Sequence, residues 1–194
     1  LQLELSGSAF RLDGEPHLAR TLDVAINAAQ AQTNELRVLR AGVPLHAEAA
    51  AVRAAVQAVF DATYVFQTTK PKAPSRQLVK VRLTVPDAAS ARALQTVLAR
   101  SLAIAQGVEE AKEWGNRPAN HATPTLLGQE AKRLARASGF ACEVLTPAQV
   151  AKLGMGAFSA VAQGSVQPLR FIVLQYKGAA PSEAPVVLVG KGIT

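Results

Sequence analysis

The longest regular pattern in the chain is helical and runs from about Ala88 to Trp114. Apolar residues recur there every three or four positions, which is the spacing of one face of an amphipathic helix. Asp87 or Ser90 can cap its start, and Gly115 followed by Pro118 predicts its end. With a rise of 1.5 Å per residue, such a helix extends over about 40 Å and is long enough to join two domains. Its apolar stripe consists of Leu94, Val97, Leu98, Leu102, Ala105, Val108 and Ala111.

The part of the chain before this helix mixes helical and strand-like patterns. Residues 46–60 carry apolar side chains at helical spacing. Leu78 to Val85 alternates apolar and polar residues like a half-buried strand, which Pro86 ends. Leu1 to Leu5 alternates like a strand already in progress, so we expect the sequence to begin inside a longer chain. These patterns predict a small α/β domain over residues 1–87.

After the long helix, from about Asn116, helical patterns alternate with apolar strands. Helices are predicted over Thr125–Ser138 and from Thr146-Pro147 onward, where threonine is a cap and proline occupies the first turn. Strands are predicted over Phe140–Leu145, Leu169–Tyr176 and the buried run Val186–Val189. This alternation is typical of a sheet with helices on its faces, so the predicted fold class is α/β.

Composition also favours the α/β fold class, and it bears on where in the cell the protein is located. Hydrophobic residues make up 49% of the 194 residues but aromatic residues only 5%, which favours a helix-rich α/β fold over an all-β sandwich. No apolar run is as long as a membrane span, and no signal-peptide pattern opens the sequence, so we expect no membrane partner. The single cysteine, Cys142, excludes an internal disulfide and is predicted to be a small buried residue. A cytoplasmic location fits these features.

The net charge of +7 leaves two interpretations open. The basic residues around a proline-containing loop form either a phosphate-binding patch or a solvated loop with the outer face of a strand. Aromatic residues that would stack on bases are not interleaved with them. A non-catalytic basic α/β module that binds nucleic acid or serves in assembly is therefore the alternative function. The basic residues concerned are Lys70, Lys72, Arg76, Lys80 and Arg82.

Lys191 is the clearest candidate functional residue, because it lies between Gly190 and Gly192 directly after an apolar run. Buried parallel strands present functional groups at their carboxyl ends. A phosphate-binding loop would need a glycine where Pro185 lies and a serine or threonine where Gly192 lies, so that motif is excluded. From spacing alone, Lys191 is either an exposed cation or a functional group.

Other chemistry-bearing residues do not form a recognised motif. The histidines, His17, His46 and His121, are far apart and lack the spacing of a zinc-binding helix. The glutamates Glu109, Glu110 and Glu113 lie next to Lys112 on the long helix. That arrangement is more typical of a solvated helix face than of carboxylate catalysis.

Several segments resemble the leucine (cytosol) aminopeptidase family. Val187-Leu-Val-Gly-Lys-Gly-Ile-Thr194 resembles the segment that opens the metal site of that family. The resemblance is specific and continuous from about Val79 to Thr194. Further similar segments are Tyr64-x-Phe66-x-x-x-Lys70, Trp114-Gly-Asn-Arg-Pro-Ala-Asn120 with Thr123-Pro124, Leu153 to Ser165, and Val173-Leu-Gln-Tyr-Lys-Gly178.

The resemblance implies a domain organisation and a function. Residues 1–87 would form the amino-terminal α/β domain, residues 88–115 a linker helix, and residues 116–194 the first part of a mixed-sheet α/β catalytic domain. The implied enzyme is a homohexamer that releases amino-terminal residues, with leucine-type preference, from peptide substrates by means of two divalent metal ions, manganese or zinc. Lys191 corresponds to a metal ligand, which requires a neutral amine because an ammonium group has no lone pair. The remaining ligands and the catalytic residues of the family lie beyond Thr194, so this chain alone is expected to be inactive.

Overall fold

The computed structural model describes residues 2–7, 35–39, 45–73, 80–85 and 87–192. The chain divides into two compact units, residues 1–116 and residues 117–194. Both combine helices with a small sheet, so the predicted α/β class is confirmed. The strands are β1 (Gln2–Gly7), β2 (Glu35–Leu39), β3 (Lys80–Val85), β4 (Ala141–Leu145) and β5 (Phe171–Gln175); the helices are α1 (Leu45–Thr63), α2 (Ala88–Asn116), α3 (Pro124–Ser138), α4 (Pro147–Lys152) and α5 (Gly156–Ala162), and a short 3-10 helix covers Ala119–His121.

The amino-terminal unit is built on a parallel sheet in the order β1-β3-β2. The alternation predicted for β3 is confirmed, because Val81, Leu83 and Val85 are buried. Helices α1 and α2 pack against each other, and α2 also contacts β1 and β3. The side chains of this core in the described residues are aliphatic except for the ring of Phe60. The core consists of Val52, Ala55, Val56, Val59, Phe60, Val81, Leu83, Val85, Ala91, Leu94, Leu98 and Ala105.

Helix α2 begins where the sequence predicts and ends later. Asp87 caps it, since the backbone N–H of Ser90 donates to Asp87 Oδ1 at 2.7 Å, and that bond holds the pKa of Asp87 below its ordinary value. The expected end at Gly115 is wrong: the helix continues through Gly115 to Asn116, and Gly115 does not adopt the left-handed conformation of a helix stop. The predicted apolar stripe is also buried only as far as Ala105, since Val108 and Ala111 are exposed.

The carboxyl-terminal unit packs α3 on an antiparallel pair, β4 and β5. Helix α3 follows a Thr123 cap and begins at Pro124, one residue before the predicted start; it ends at Ser138, as predicted, where Gly139 stops it with a left-handed φ of 74°. Close packing on the sheet requires a glycine at position 128, because an added Cβ would lie 2.9 Å from Val144 Cγ1. The predicted helix start at Thr146 is confirmed, with a reciprocal capping box to Gln149.

Two predictions for this unit are wrong. Val186–Val189 is neither a strand nor buried, with side chains between 71% and 93% exposed. An apolar run of this kind needs neighbours on both faces and a hydrogen-bonding partner strand, and within the described residues the unit's sheet has only β4 and β5. Cys142 is half-buried rather than buried, because it lies in this small two-stranded sheet.

No helix in the described ranges is both long and apolar enough to cross a membrane.

Candidate metal ligand and the polar cluster of the long helix

Lys191 lies in a segment without regular secondary structure, and its side chain is exposed. Among residues 2–7, 35–39, 45–73, 80–85 and 87–192, no group of three or more histidine, cysteine, aspartate or glutamate residues could hold a metal ion. One neutral amine supplies a single ligand, whereas divalent ions in proteins take four or more. The described residues therefore do not fit a complete metal centre by themselves.

The histidines and basic residues singled out from the sequence do not converge on a site in the described structure. His121 is half-buried in the 3-10 helix, whereas His17 and the side chain of His46 lie outside the described residues. Lys70 and Lys72 are exposed on the turn that follows Phe66. Arg76 and the side chains of Lys80 and Arg82 lie outside the described residues, so the predicted basic patch remains a prediction.

The glutamates of α2 are more enclosed than the sequence predicts. Glu109, Glu110 and Glu113 are each half-buried, which corrects the expectation of a solvated helix face. Glu110 accepts a hydrogen bond from the indole Nε1 of Trp114 at 3.0 Å, one helical turn along. Glu113 accepts two hydroxyl groups from another part of the unit, as its two oxygens bind Tyr64 and Thr68. The carboxylates of Glu110 and Glu113 therefore accept hydrogen bonds from other side chains of the same unit.

Tyr64 is the centre of a polar cluster at the end of α2. Its hydroxyl donates to Glu113 Oε2 at 3.3 Å and accepts from Asn116 Nδ2 at 3.2 Å. The pKa of Tyr64 is raised, first because burial disfavours the phenolate and also because Glu113 is negatively charged; the bond from Asn116 opposes this only in part. Tyr64 therefore stays a neutral donor at physiological pH.

A salt bridge next to Tyr64 joins helix α1 to helix α2. Lys112 forms a salt bridge with Asp61 at the end of α1, and its Nζ lies 5.7 Å from the centre of the Tyr64 ring. Asp61 also accepts from Gln57 Nε2 at 3.0 Å. Burial raises the pKa of Asp61, but the hydrogen bonds from Lys112 and Gln57 outweigh it, so the net pKa is lowered. Both partners are partly exposed, so solvent weakens this salt bridge.

An open cavity of about 440 Å³ lies beside this cluster. Its acidic wall is made by Glu109, Glu110 and Glu113, and the latter two already accept the hydrogen bonds described above. The cavity is therefore not a preformed metal site. The other residues that line it are Thr63, Tyr64, Val65, Gln67 and Gln106.

Comparison with known proteins decides which family the chain resembles. Residues 109–194 match the cytosol aminopeptidase family, catalytic domain. A probable cytosol aminopeptidase of Acidovorax ebreus is 60% identical over 148 residues, which are 76% of this chain and 29% of that protein. A probable cytosol aminopeptidase of a Polaromonas species is 50% identical over 186 residues, which are 94% of this chain and 36% of that protein.

The chain belongs to the cytosol aminopeptidase family. The family resemblance seen in the sequence is thereby confirmed. The chain spans about a third of the length of the curated relatives that it matches. The matched catalytic-domain segment contains Lys191 and the residues from Trp114 to Asn120.

Two solved structures have a fold similar to that of this chain. A mutant of tomato leucine aminopeptidase superposes with a TM-score of 0.74 at 22% identity, over 86% of this chain and 34% of that one. The bottromycin maturation enzyme BotP in complex with Mn superposes with a TM-score of 0.65 at 24% identity, over 84% of this chain and 34% of that one. At these identities the likeness shows a shared fold, and it supports the α/β architecture described above.

The Tyr64 cluster is a feature that sequence reasoning missed. Its hydrogen bonds join residues that are 45 to 52 positions apart, so no local periodicity connects them. The one signal was indirect: Tyr64 and Asn116 both lie in segments that resemble family motifs. A partly buried tyrosine hydroxyl also needs a hydrogen-bond partner, which would have prompted a search for one.

Proposed function

We propose that this chain is the amino-terminal part of a metal-dependent aminopeptidase that releases amino-terminal residues, with leucine-type preference, from peptides. The observation that carries the proposal is the match of residues 109–194 to the catalytic domain of the cytosol aminopeptidase family, together with 50–60% identity to relatives named as such enzymes. The activity belongs to a full-length protein of about the relatives' size, which is called the full-length protein below.

The proposal divides the chain by role. Residues 1–87 form the amino-terminal α/β domain, residues 88–115 the linker helix, and residues 116–194 the start of the catalytic domain. The compact units meet between Asn116 and Arg117, which supports a boundary at the end of α2.

Lys191 is proposed to be a metal ligand of the full-length protein. It is the one residue of this chain to which we assign that role, and no residue of the chain is assigned to catalysis. When bound, a pair of divalent ions, manganese or zinc, would supply Lewis-acid activation of water and of the peptide carbonyl. The structure of a fold neighbour, BotP, in complex with Mn supports manganese as one of the two choices. The role of Lys191 itself is to offer one lone pair from an exposed position, and we assign the other metal ligands to the remainder of the full-length protein.

The chain by itself should therefore be inactive. Its described residues contain no set of three carboxylate, histidine or cysteine side chains that could hold a metal. We further propose that the full-length protein is cytoplasmic and hexameric; light scattering that gave a stable monomer would contradict the hexamer.

The direct test of the reaction uses leucyl peptides with a free or an acetylated amino terminus. The full-length protein, supplied with manganese or zinc, should release leucine from the free peptide and leave the acetylated peptide intact. Equal cleavage of both peptides, or no cleavage of either, would contradict an aminopeptidase. The alternative, a basic module that binds nucleic acid, rests on Lys70 and Lys72, which are exposed, and on basic residues whose side chains lie outside the described residues.

A further inference from the structure

Two of the segments that resemble family motifs have no part in the metal chemistry proposed above. One contains Tyr64, directly after α1, and the other contains Asn116, the last residue of α2. The structure brings them together, since Asn116 Nδ2 lies 3.2 Å from the hydroxyl oxygen of Tyr64. The two segments therefore meet in a single contact. Its structural role follows from the interactions that keep the end of α2 helical.

The last part of α2 contributes no fully buried residue to the core. The buried residues of this helix are Ala91, Leu94, Leu98, Ser101 and Ala105, and none follows Ala105. The last four carbonyl groups of any helix also have no partner within the helix. Gly115 weakens this end further, because glycine is the poorest helix former after proline. The packing of the core therefore does not explain why α2 stays helical to Asn116.

Hydrogen bonds of the polar cluster stabilise the last turn of α2, which the core does not reach. The Tyr64 hydroxyl has one proton, which it donates to Glu113, and its lone pairs are left to accept from Asn116. Glu113 and Asn116 are three residues apart and so lie on one face of the helix. Tyr64 thus bridges the last turn across Gly115.

Two flanking contacts hold this bridge to the rest of the unit. Thr68 donates to the second oxygen of Glu113, so both oxygens of one carboxylate bind the segment that follows α1. One residue before Glu113, Lys112 binds Asp61 on α1 and covers the Tyr64 ring. All of these contacts lie within residues 61–116, inside the amino-terminal unit.

We propose that Tyr64, with Thr68, Glu113 and Asn116, is a clasp that closes the last turns of α2 and fixes the residue from which the chain leaves the amino-terminal unit. The clasp can open without unfolding the unit, because the core contacts of α2 end at Ala105. It goes beyond the proposed function and does not depend on it, since it concerns a conformational element and not the reaction.

Hydrogen exchange of the chain, read by mass spectrometry, tests the clasp through Tyr64→Phe. This substitution keeps the ring over which Lys112 lies and removes only the hydroxyl. The backbone amides of residues 108–117 should exchange about fivefold to thirtyfold faster, the factor expected for the loss of the two hydrogen bonds that the hydroxyl makes. Residues 94–105 should exchange at the wild-type rate. Tyr176→Phe is the matched control: that side chain is 76% exposed, and its loss of a hydroxyl should change neither segment.

Asn116→Ala and the double variant Tyr64→Phe/Asn116→Ala distinguish loss of the clasp from a general loss of stability of the amino-terminal unit. Asn116→Ala alone should accelerate the same amides, and adding it to Tyr64→Phe should give less than the product of the two effects, because both remove the same bridge. Wild-type exchange in Tyr64→Phe would overturn the proposal. So would an acceleration that spread equally to residues 94–105, or independent effects of the two substitutions.

Discussion

At the scale of single residues, Lys191 carries the sharpest chemical claim. A lysine binds a metal only through a neutral amine, and an arginine cannot replace it because the guanidinium group remains protonated and has no lone pair to offer. In the full-length protein, Lys191→Ala should lower both the bound metal and the rate of leucine release. Lys191→Arg should fail to restore either, because it would bring a fixed positive charge close to the metal ions.

A matched lysine makes this test specific. Lys132 is exposed on α3 within the same unit, and Lys132→Ala should keep wild-type metal content and rate. Circular dichroism of each variant checks that the fold is retained. If Lys191→Arg bound the wild-type amount of metal and released leucine at the wild-type rate, Lys191 would be an exposed cation and not a ligand.

Glycine residues provide a stability test at the scale of the helices. Gly107 and Gly115 lie within α2, and a Cβ added to either would meet no atom within 4 Å. Alanine removes the backbone freedom of glycine in the unfolded chain, so Gly107→Ala and Gly115→Ala should each stabilise the amino-terminal unit by about 1 kcal/mol. Urea unfolding followed by circular dichroism measures the change.

Gly128 is the opposite case and serves as the control. Its added Cβ would lie 2.9 Å from Val144 Cγ1, so α3 or β4 must move to accept it. Gly128→Ala should destabilise the carboxyl-terminal unit by roughly 1–3 kcal/mol, the usual cost of overpacking. Loss of stability in Gly115→Ala would show that the helix does not pass through this position as described.

Local signals explain why several elements could be predicted. Caps and stops act within a few residues, so the start of α2 at Asp87 and the end of α3 at Gly139 follow from the sequence. The alternation of β3 is likewise visible, because one face of the strand is buried and side chains alternate between faces. Gly115 was misjudged, because the contact that keeps it helical comes from Tyr64, far away in the sequence.

Long-range features could not be predicted in the same way. The order β1-β3-β2 places the third strand between the first two, and no local pattern specifies that arrangement. The run Val186–Val189 shows the converse: its composition indicates a buried strand, but burial requires neighbours that the described unit does not offer. For the candidate site, the resemblance proposes Lys191 as a metal ligand, and this stays a prediction; the sequence could not say which groups would surround it.

At the scale of the whole molecule, the chain belongs to the cytosol aminopeptidase family, and the one metal ligand proposed in it is Lys191. It spans about a third of its curated relatives, and its described residues hold no cluster of metal ligands. The proposed activity therefore requires groups from the full-length protein. The two compact units of this chain are proposed to supply the amino-terminal domain, the long helix and the strand-and-helix start of the catalytic domain.

The most direct test of the central claim compares the 194-residue chain with the full-length protein under identical conditions. Bound manganese and zinc are measured by elemental analysis, and leucine release from a leucyl peptide is followed before and after chelation. The account predicts stable metal binding and release by the full-length protein, loss of both on chelation, and their return when metal is added back, with neither in the 194-residue chain. Undiminished leucine release by the metal-stripped full-length protein would contradict it.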